Sequence, residues 1–272
     1  MNSARGSTGS NPVRSAITKH VMKKKIKHYR SIFVSDIHLG SGGCQASAAN
    51  SFLKNHSCEN LYLVGDIIDG WKLRKRVFWP QEHSLVVRQI INKQRHGSKV
   101  IYITGNHDEF LRDWLDIKVD FEAIEICDTY DHIGADGKRY LVVHGDLFDG
   151  VHKMAKWLSY TGDWAYSVLL FINKYYNAVR HSLGFGYWSL SAYLKSNVKG
   201  AINFIFDFEE TLSRYCKSKE YDGVICGHIH TATIKDIYGV AYMNSGDWVE
   251  SCTALVEHED GTWEIVHWTE KD

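Results

Sequence analysis

Short apolar runs that stop abruptly at Gly, Asp, Asn or His recur along the chain. They are "SIFVSDIHLG" (31–40), "LYLVGDIIDG" (61–70), "KVIYITGNHDEF" (99–110), "RYLVVHGDLFDG" (139–150) and "YDGVICGHIH" (221–230). Each apolar stretch is four to six residues long and rich in β-branched side chains, which suits a strand buried on both faces. By contrast, "QEHSLVVRQIINKQRH" (81–96) places Val86, Val87, Ile90 and Ile91 at helical spacing, so a helix is predicted there. Strands alternating with helices predict a layered α/β fold, in which ligands gather beyond the carboxyl ends of the strands. All five polar clusters fall at such ends.

Outside these runs the pattern changes. Residues 151–218 are aromatic-rich, and Trp164, Val168, Phe171 and Tyr175 step by four, three and four, which predicts a helical insertion. From Thr231 onward, apolar and polar residues alternate between Gly-containing turns, as expected of antiparallel strands finishing a sheet. Residues 1–28 carry Ser, Asn and Gly, then a lysine cluster, and read as a solvated basic tail. The same lysines suit an electrostatic contact with anionic lipid, at about 1 kcal/mol for each basic residue near the surface. The expected organisation is a core of residues 29–150 and 219–272, interrupted by the insertion.

Composition narrows the function class. Apolar residues make up 44% and charged residues 24%, ordinary for a globular protein in water. Lys plus Arg equals Asp plus Glu at 32 each, so no global positive field draws in nucleic acid, and no specific nucleic-acid partner is expected. No apolar stretch reaches the roughly 18 residues of a membrane span, and the basic N-terminus lacks the apolar region of a secretory signal. Six cysteines at least ten positions apart, without a CxxC pair, read as reduced thiols. A cytoplasmic location follows as the expectation, with peripheral contact at the inner membrane face if the tail binds lipid.

The strand ends supply Asp36, His38, Asp66, Asn106, His144, His228 and His230. Mixed carboxylate, amide and imidazole donors suit Mn, Fe, Zn or Co. Seven donors exceed one site. A shared carboxylate divides them into two sites about 3.5–4 Å apart, an arrangement used in phosphoryl displacement. A lone His at a strand end is more often a turn or core residue; seven donors at matching ends reverse that expectation.

Taken together, "DIHLG", "GDIID", "GNHDE", "HGD" and "GHIH" resemble the five-block signature of the calcineurin-like metallophosphoesterases, in order, over residues 31–250. The resemblance implies a four-layer α/β/β/α sandwich of two mixed sheets, with the insertion as a lid. It implies that Asp36, His38 and His230 bind one divalent ion, that Asn106, His144 and His228 bind a second, and that Asp66 bridges them. It implies in-line attack on phosphorus by metal-activated water. In this pattern His107 faces the phosphate and can protonate the leaving oxygen, and Asp108 is expected to hold its imidazole. Asp69 and Asp149 read equally as partners of ligating histidines or as turn and helix-cap carboxylates.

Within the superfamily, "GNHDEFLRDW", "HGDLFD", "NSGDW" and the aromatic insertion are similar to the UDP-2,3-diacylglucosamine diphosphatases. Those enzymes cleave a pyrophosphate in lipid A synthesis, usually with Mn, releasing UMP and a lipid phosphate. Their well-known members carry Arg where this chain has His107. Trp157 and Trp164 are candidates to line an acyl groove. In the basic loop 71–80, Trp71, Arg74 and Arg76 are candidates for a second phosphate or head group, and Arg112 and Lys153 are weaker ones. A phosphodiesterase or phosphomonoesterase acting on another substrate uses the same metal residues, and a non-catalytic scaffold on the same fold predicts no bound transition metal.

Overall fold

Successive side chains of a β-strand point to opposite faces, and in this chain both faces are apolar. The computed structural model describes residues 26–114, 124–148 and 199–268, together with Asn177 and Arg180. In strand β1 (Lys27–Val34), Ile32 and Val34 enter one core cluster and Phe33 another. The same alternation divides Leu61 and Leu63 from Tyr62 and Val64 in β2 (His56–Val64), and Val100 and Tyr102 from Ile101 and Ile103 in β3 (Lys99–Ile103). In β6 (Arg139–Val143), Tyr140 and Val142 face the shared inner cluster while Leu141 and Val143 face a third. Three apolar layers separated by two sheets give the four-layer sandwich.

The first sheet has the order β11–β10–β1–β2–β3–β4, using β4 (Ile124–Cys127), β10 (Thr253–Glu257) and β11 (Trp263–His267). The second has the order β5–β6–β7–β9–β8, using β5 (Thr129–Ile133), β7 (Gly223–Cys226), β8 (Thr233–Ile237) and β9 (Val240–Asn244). β1, β2, β3 and β4 run parallel, as do β6, β7 and β9, and the remaining pairs are antiparallel. Helices α1 (Ala46–Asn55) and α3 (Gln81–Arg95) cover the first sheet. Helix α4 (Lys199–Ser218) covers the second through Phe208, Leu212 and Cys216. Short α2 (Gly70–Lys75) follows β2.

Several expectations shift. The C-terminal strands finish both sheets: the β8–β9 hairpin joins the second and β10–β11 the first. The segment expected to be insertion down to 218 ends in α4, whose buried side chains form the outer layer over the second sheet. Strand β1 begins at Lys27, inside the expected tail. In α3, Val86 and Ile90 are buried while Ile91 is exposed, because its position falls at the edge of the apolar stripe. Lys153, Trp157, Trp164, Asp149 and the remaining tail residues lie outside the described residues. All six cysteines are free.

A buried polar knot ties the two sheets together away from the parallel strand ends. Glu257 at the end of β10 is fully buried; its carboxylate accepts hydrogen bonds from Ser31 Oγ at 2.7 Å and Ala135 N at 2.7 Å, and pairs with Arg30 Nη1 at 2.7 Å. His132 Nε2 lies 2.9 Å from the oxygen that accepts from Ser31. Burial pushes the Glu257 carboxyl up, but these partners outweigh it and hold the group down at about 2. A carboxyl depressed in the folded state stabilises fully above its unfolded value, and that contribution disappears as pH falls toward the folded value. Glu257→Gln is therefore expected to lose about 3 kcal/mol at pH 7 by urea denaturation. The gap to the parent chain closes as pH drops below about 4.5 toward 2. A gap independent of pH contradicts this assignment.

Candidate active site

Five of the seven candidate metal donors have backbones that L-residues rarely adopt. Asp36, His38, Asp66, His228 and His230 all have φ between +52° and +68°. Each such residue costs on the order of 1–3 kcal/mol and persists only where its surroundings determine it. Here the surroundings are neighbouring turns. Asp36 N donates to Gly65 O at 3.1 Å, His38 N to Asp66 O at 2.9 Å and Leu39 N to Ile67 O at 2.9 Å, so the first two motifs stay paired beyond β1 and β2. His228 N donates to Asp36 Oδ2 at 3.0 Å, joining the second sheet to the first.

The glycines of the motifs are where these turns interlock. A Cβ on Gly105 would lie 2.3 Å from Asp66 Oδ1, and one on Gly227 would lie 2.5 Å from Asp36 Oδ2. The segment "NSGDW" holds the turns from behind. Trp248 N donates to Asp36 O at 3.1 Å, Asn244 Nδ2 to Gly227 O at 2.6 Å, and Ser35 Oγ meets Ser245 Oγ at 2.8 Å.

The two aspartates are built alike. One oxygen of each is held by a backbone N–H, His228 N for Asp36 and His107 N at 2.8 Å for Asp66. The other oxygen faces imidazoles. Asp36 Oδ1 lies 3.1 Å from His230 Nε2 and 3.9 Å from His38 Nε2. Asp66 Oδ2 lies 3.4 Å from His144 Nε2, 3.8 Å from His38 Nε2 and 3.9 Å from His107 Nε2. Asp36, His38 and His230 form one group with donor atoms within 4.8 Å of one another, and Asp36, Asp66 and His144 form a second. His228 stands beside His144, their ring centres 5.1 Å apart.

This donor set fits divalent metal. Asn106 Oδ1 is buried and makes no hydrogen bond, and Asp36 Oδ1 and His144 Nε2, equally buried, face only an imidazole at 3.1 Å and a carboxylate at 3.4 Å without hydrogen-bond geometry, a costly state for polar atoms unless a cation satisfies them. His144 Nδ1 lies 2.9 Å from Val64 O; since a carbonyl only accepts, Nδ1 carries a proton, and Nε2 is the atom turned toward Asp66. Without metal, the electrostatics show the same concentration of charge. Burial opposes ionisation of Asp66, yet His144, His107 and His38 hold its carboxyl well below the usual range. Burial likewise disfavours a charged His144, and Asp66 outweighs it, pushing the imidazole up. Such groups release their protons to solvent when a metal binds.

The structure corrects the partner of His107. Asp108 does not hold that ring: its carboxylate is fully buried and accepts from Tyr102 Oη at 2.6 Å, Ile67 N at 2.9 Å and Gly105 N at 2.5 Å. It locks the Asn106 loop to the Asp66 turn. Asp69 takes the imidazole, with His107 Nδ1 3.1 Å from its Oδ1, while capping α2 by accepting from Lys72 N at 2.9 Å. Asp69 Oδ2 also lies 3.6 Å from His38 Nδ1. Burial lowers the His107 imidazole, and Asp69 with Asp66 more than compensates, leaving it raised. Asp69 was legible as the second carboxylate of "GDIID", but adjacency in sequence favoured Asp108.

Of the expected substrate contacts, Trp71 reaches the site: its ring lies 4.2 Å from that of His107, and its indole N–H donates to Glu109 Oε1 at 3.3 Å. Arg74 and Arg76 are exposed on the same segment. Arg112 is engaged elsewhere. Its guanidinium bonds Asp128 Oδ1 at 3.0 Å and Asp146 Oδ2 at 2.9 Å, tying the helical turn after "GNHD" to the β4–β5 junction and the "HGD" turn. That makes it a structural bracket.

Residues 29–232 match the family described as calcineurin-like phosphoesterase, and the chain belongs to that family. It is accordingly a metal-dependent phosphoester hydrolase. No curated protein matches the chain. Among solved structures it is similar to an archaeal phosphodiesterase (15% identity, 87% of this chain and 98% of that one, TM-score 0.42). It is also similar to the E. coli phosphoesterase Yfce (14% identity, 88% and 99%, TM-score 0.38). A third is Vps29 of Entamoeba histolytica complexed with zinc (11% identity, 87% and 96%, TM-score 0.38).

Proposed function

We propose that the chain hydrolyses the pyrophosphate of a nucleotide-linked lipid such as UDP-2,3-diacylglucosamine, releasing UMP and a lipid phosphate. In this reading Asp36, His38 and His230 hold one divalent ion, Asn106, His144 and His228 hold a second, and Asp66 serves both, with manganese the expected metal. The bound ions supply an activated water and neutralise charge on the phosphoryl oxygens. His107 donates a proton to the leaving oxygen, and Asp69, at 3.1 Å from Nδ1, keeps the ring charged and oriented. Trp71 packs on the face of that ring and restricts its rotation.

The observation that carries the hydrolytic part is the pair of buried carboxylates ringed by imidazoles, with Asp36 Oδ1, Asn106 Oδ1 and His144 Nε2 left unsatisfied. The substrate part is supported by "GNHDEFLRDW", "HGDLFD" and "NSGDW" and by the aromatic composition of residues 151–198. Purified protein with Mn²⁺ and UDP-2,3-diacylglucosamine is expected to release UMP. His107→Gln is expected to lower kcat about 100-fold on that substrate, and by less on an aryl phosphodiester whose leaving group needs no proton. Hydrolysis of the aryl ester without UMP release discards the lipid substrate and leaves a phosphodiesterase or phosphomonoesterase of other specificity.

A further inference from the structure

Six consecutive exposed residues close α2 and continue beyond it. Arg74, Lys75 and Arg76 are succeeded by Val77, Phe78 and Trp79, three cations and then three apolar side chains. Val77 is 79% exposed, Phe78 44% and Trp79 37%. The other large apolar residues exposed among the described ones stand singly in sequence, as is ordinary on protein surfaces. A contiguous apolar run beside a cationic one is not.

The run is braced. Phe78 and Trp79 both meet the buried His83 ring edge-on, with centres 5.8 Å and 5.4 Å apart, and the Trp79 indole donates to Ser84 Oγ at 3.0 Å. His83 Nδ1 in turn accepts from Gly40 N at 3.0 Å, in the turn that follows His38. Packing on one side therefore presents the apolar tip to solvent at little further entropic cost on binding. At the other end of the segment, Trp71 rests on His107.

We propose that residues 74–79 form a membrane-surface anchor that binds anionic bilayers, with Val77, Phe78 and Trp79 entering the head-group region and Arg74, Lys75 and Arg76 pairing with lipid phosphates. The order of the two triplets favours this occupant over a protein groove. Trp and Phe settle at the bilayer interface while adjacent cations stay at the head groups, and in a chain with equal numbers of acidic and basic residues attraction to acidic lipid comes from local basic clusters such as this one. The inference is independent of the substrate reading, although it would give a lipid-linked substrate a short route to His107.

The test is cosedimentation of the full-length protein with vesicles of phosphatidylcholine, with and without about 30% phosphatidylglycerol. Binding is expected with the anionic lipid, weakening as salt is raised. Lys75→Glu with Arg76→Glu, and separately Val77→Ser with Phe78→Ser, are each expected to weaken it about tenfold or more. The Val77/Phe78 variant should keep the parent's rate on a soluble aryl phosphodiester, which shows that it folds. Absence of vesicle binding overturns the proposal, as does binding unchanged in both variants, which would place the contact elsewhere in the chain. Dimers of the parent chain that Val77→Ser with Phe78→Ser dissociates, without vesicle binding, overturn it in favour of self-association.

Discussion

Replacing Asp66 with Asn is expected to lower kcat/KM by at least about 1,000-fold, roughly 4 kcal/mol of transition-state stabilisation. Bound metal, measured by elemental analysis after gel filtration, should fall from two ions per chain to one or none. One atom decides this outcome. Asp66 Oδ2 lies within 3.9 Å of three imidazoles from β-strand ends that belong to both sheets. An amide there removes the negative charge that a shared position requires. Asn can retain the other interaction, accepting from His107 N in place of Oδ1, so the turn itself should survive. A variant that still carries two ions and turns over normally would dismiss Asp66 as the shared ligand.

Gly65→Ala is expected to be strongly destabilising. Gly65 has φ of +76°, and a Cβ there would sit 2.4 Å from Cγ and Nδ1 of His144. The imidazole has nowhere to retreat, since it is fully buried and held to Val64 O. Left-handed strain and forced overpacking together should cost about 3 kcal/mol or more of stability. Metal affinity should fall as well, because His144 Nε2 must move. Gly97→Ala is the control: φ is +95°, but no atom lies within 4 Å of the added carbon. It should cost about 1 kcal/mol and leave metal binding unchanged. Equal losses in the two variants would show that backbone strain alone explains Gly65.

The candidate donors were legible because each lies at the end of an apolar run, and both signals are local. Seven donors could be named without knowing which strands pair. The partner of His107 could not. Asp108 is its neighbour in sequence, but the loop turns that carboxylate inward onto Tyr102 and two backbone amides, while Asp69 arrives across the site from the start of α2. Arg112 misled for a similar reason: a basic residue near a phosphate motif suggests a clamp, and only the fold brings Asp128 and Asp146 to meet it. Strands β4 and β5 gave too little periodicity to be read. Their short sequence crosses from one sheet to the other at Asp128, so its burial changes partner midway.

By itself, then, the sequence determined the strand-end chemistry, the layered α/β class and the family. These depend on side-chain identity and on a period of two or 3.6 residues, which any short window carries. Tertiary structure alone decided which sheet each C-terminal hairpin completes, which glycines must lack a side chain for the motif turns to interlock, and which carboxylate holds the His107 imidazole. Those outcomes depend on contacts between residues tens to hundreds of positions apart, and a side chain's chemistry does not encode its distant neighbour.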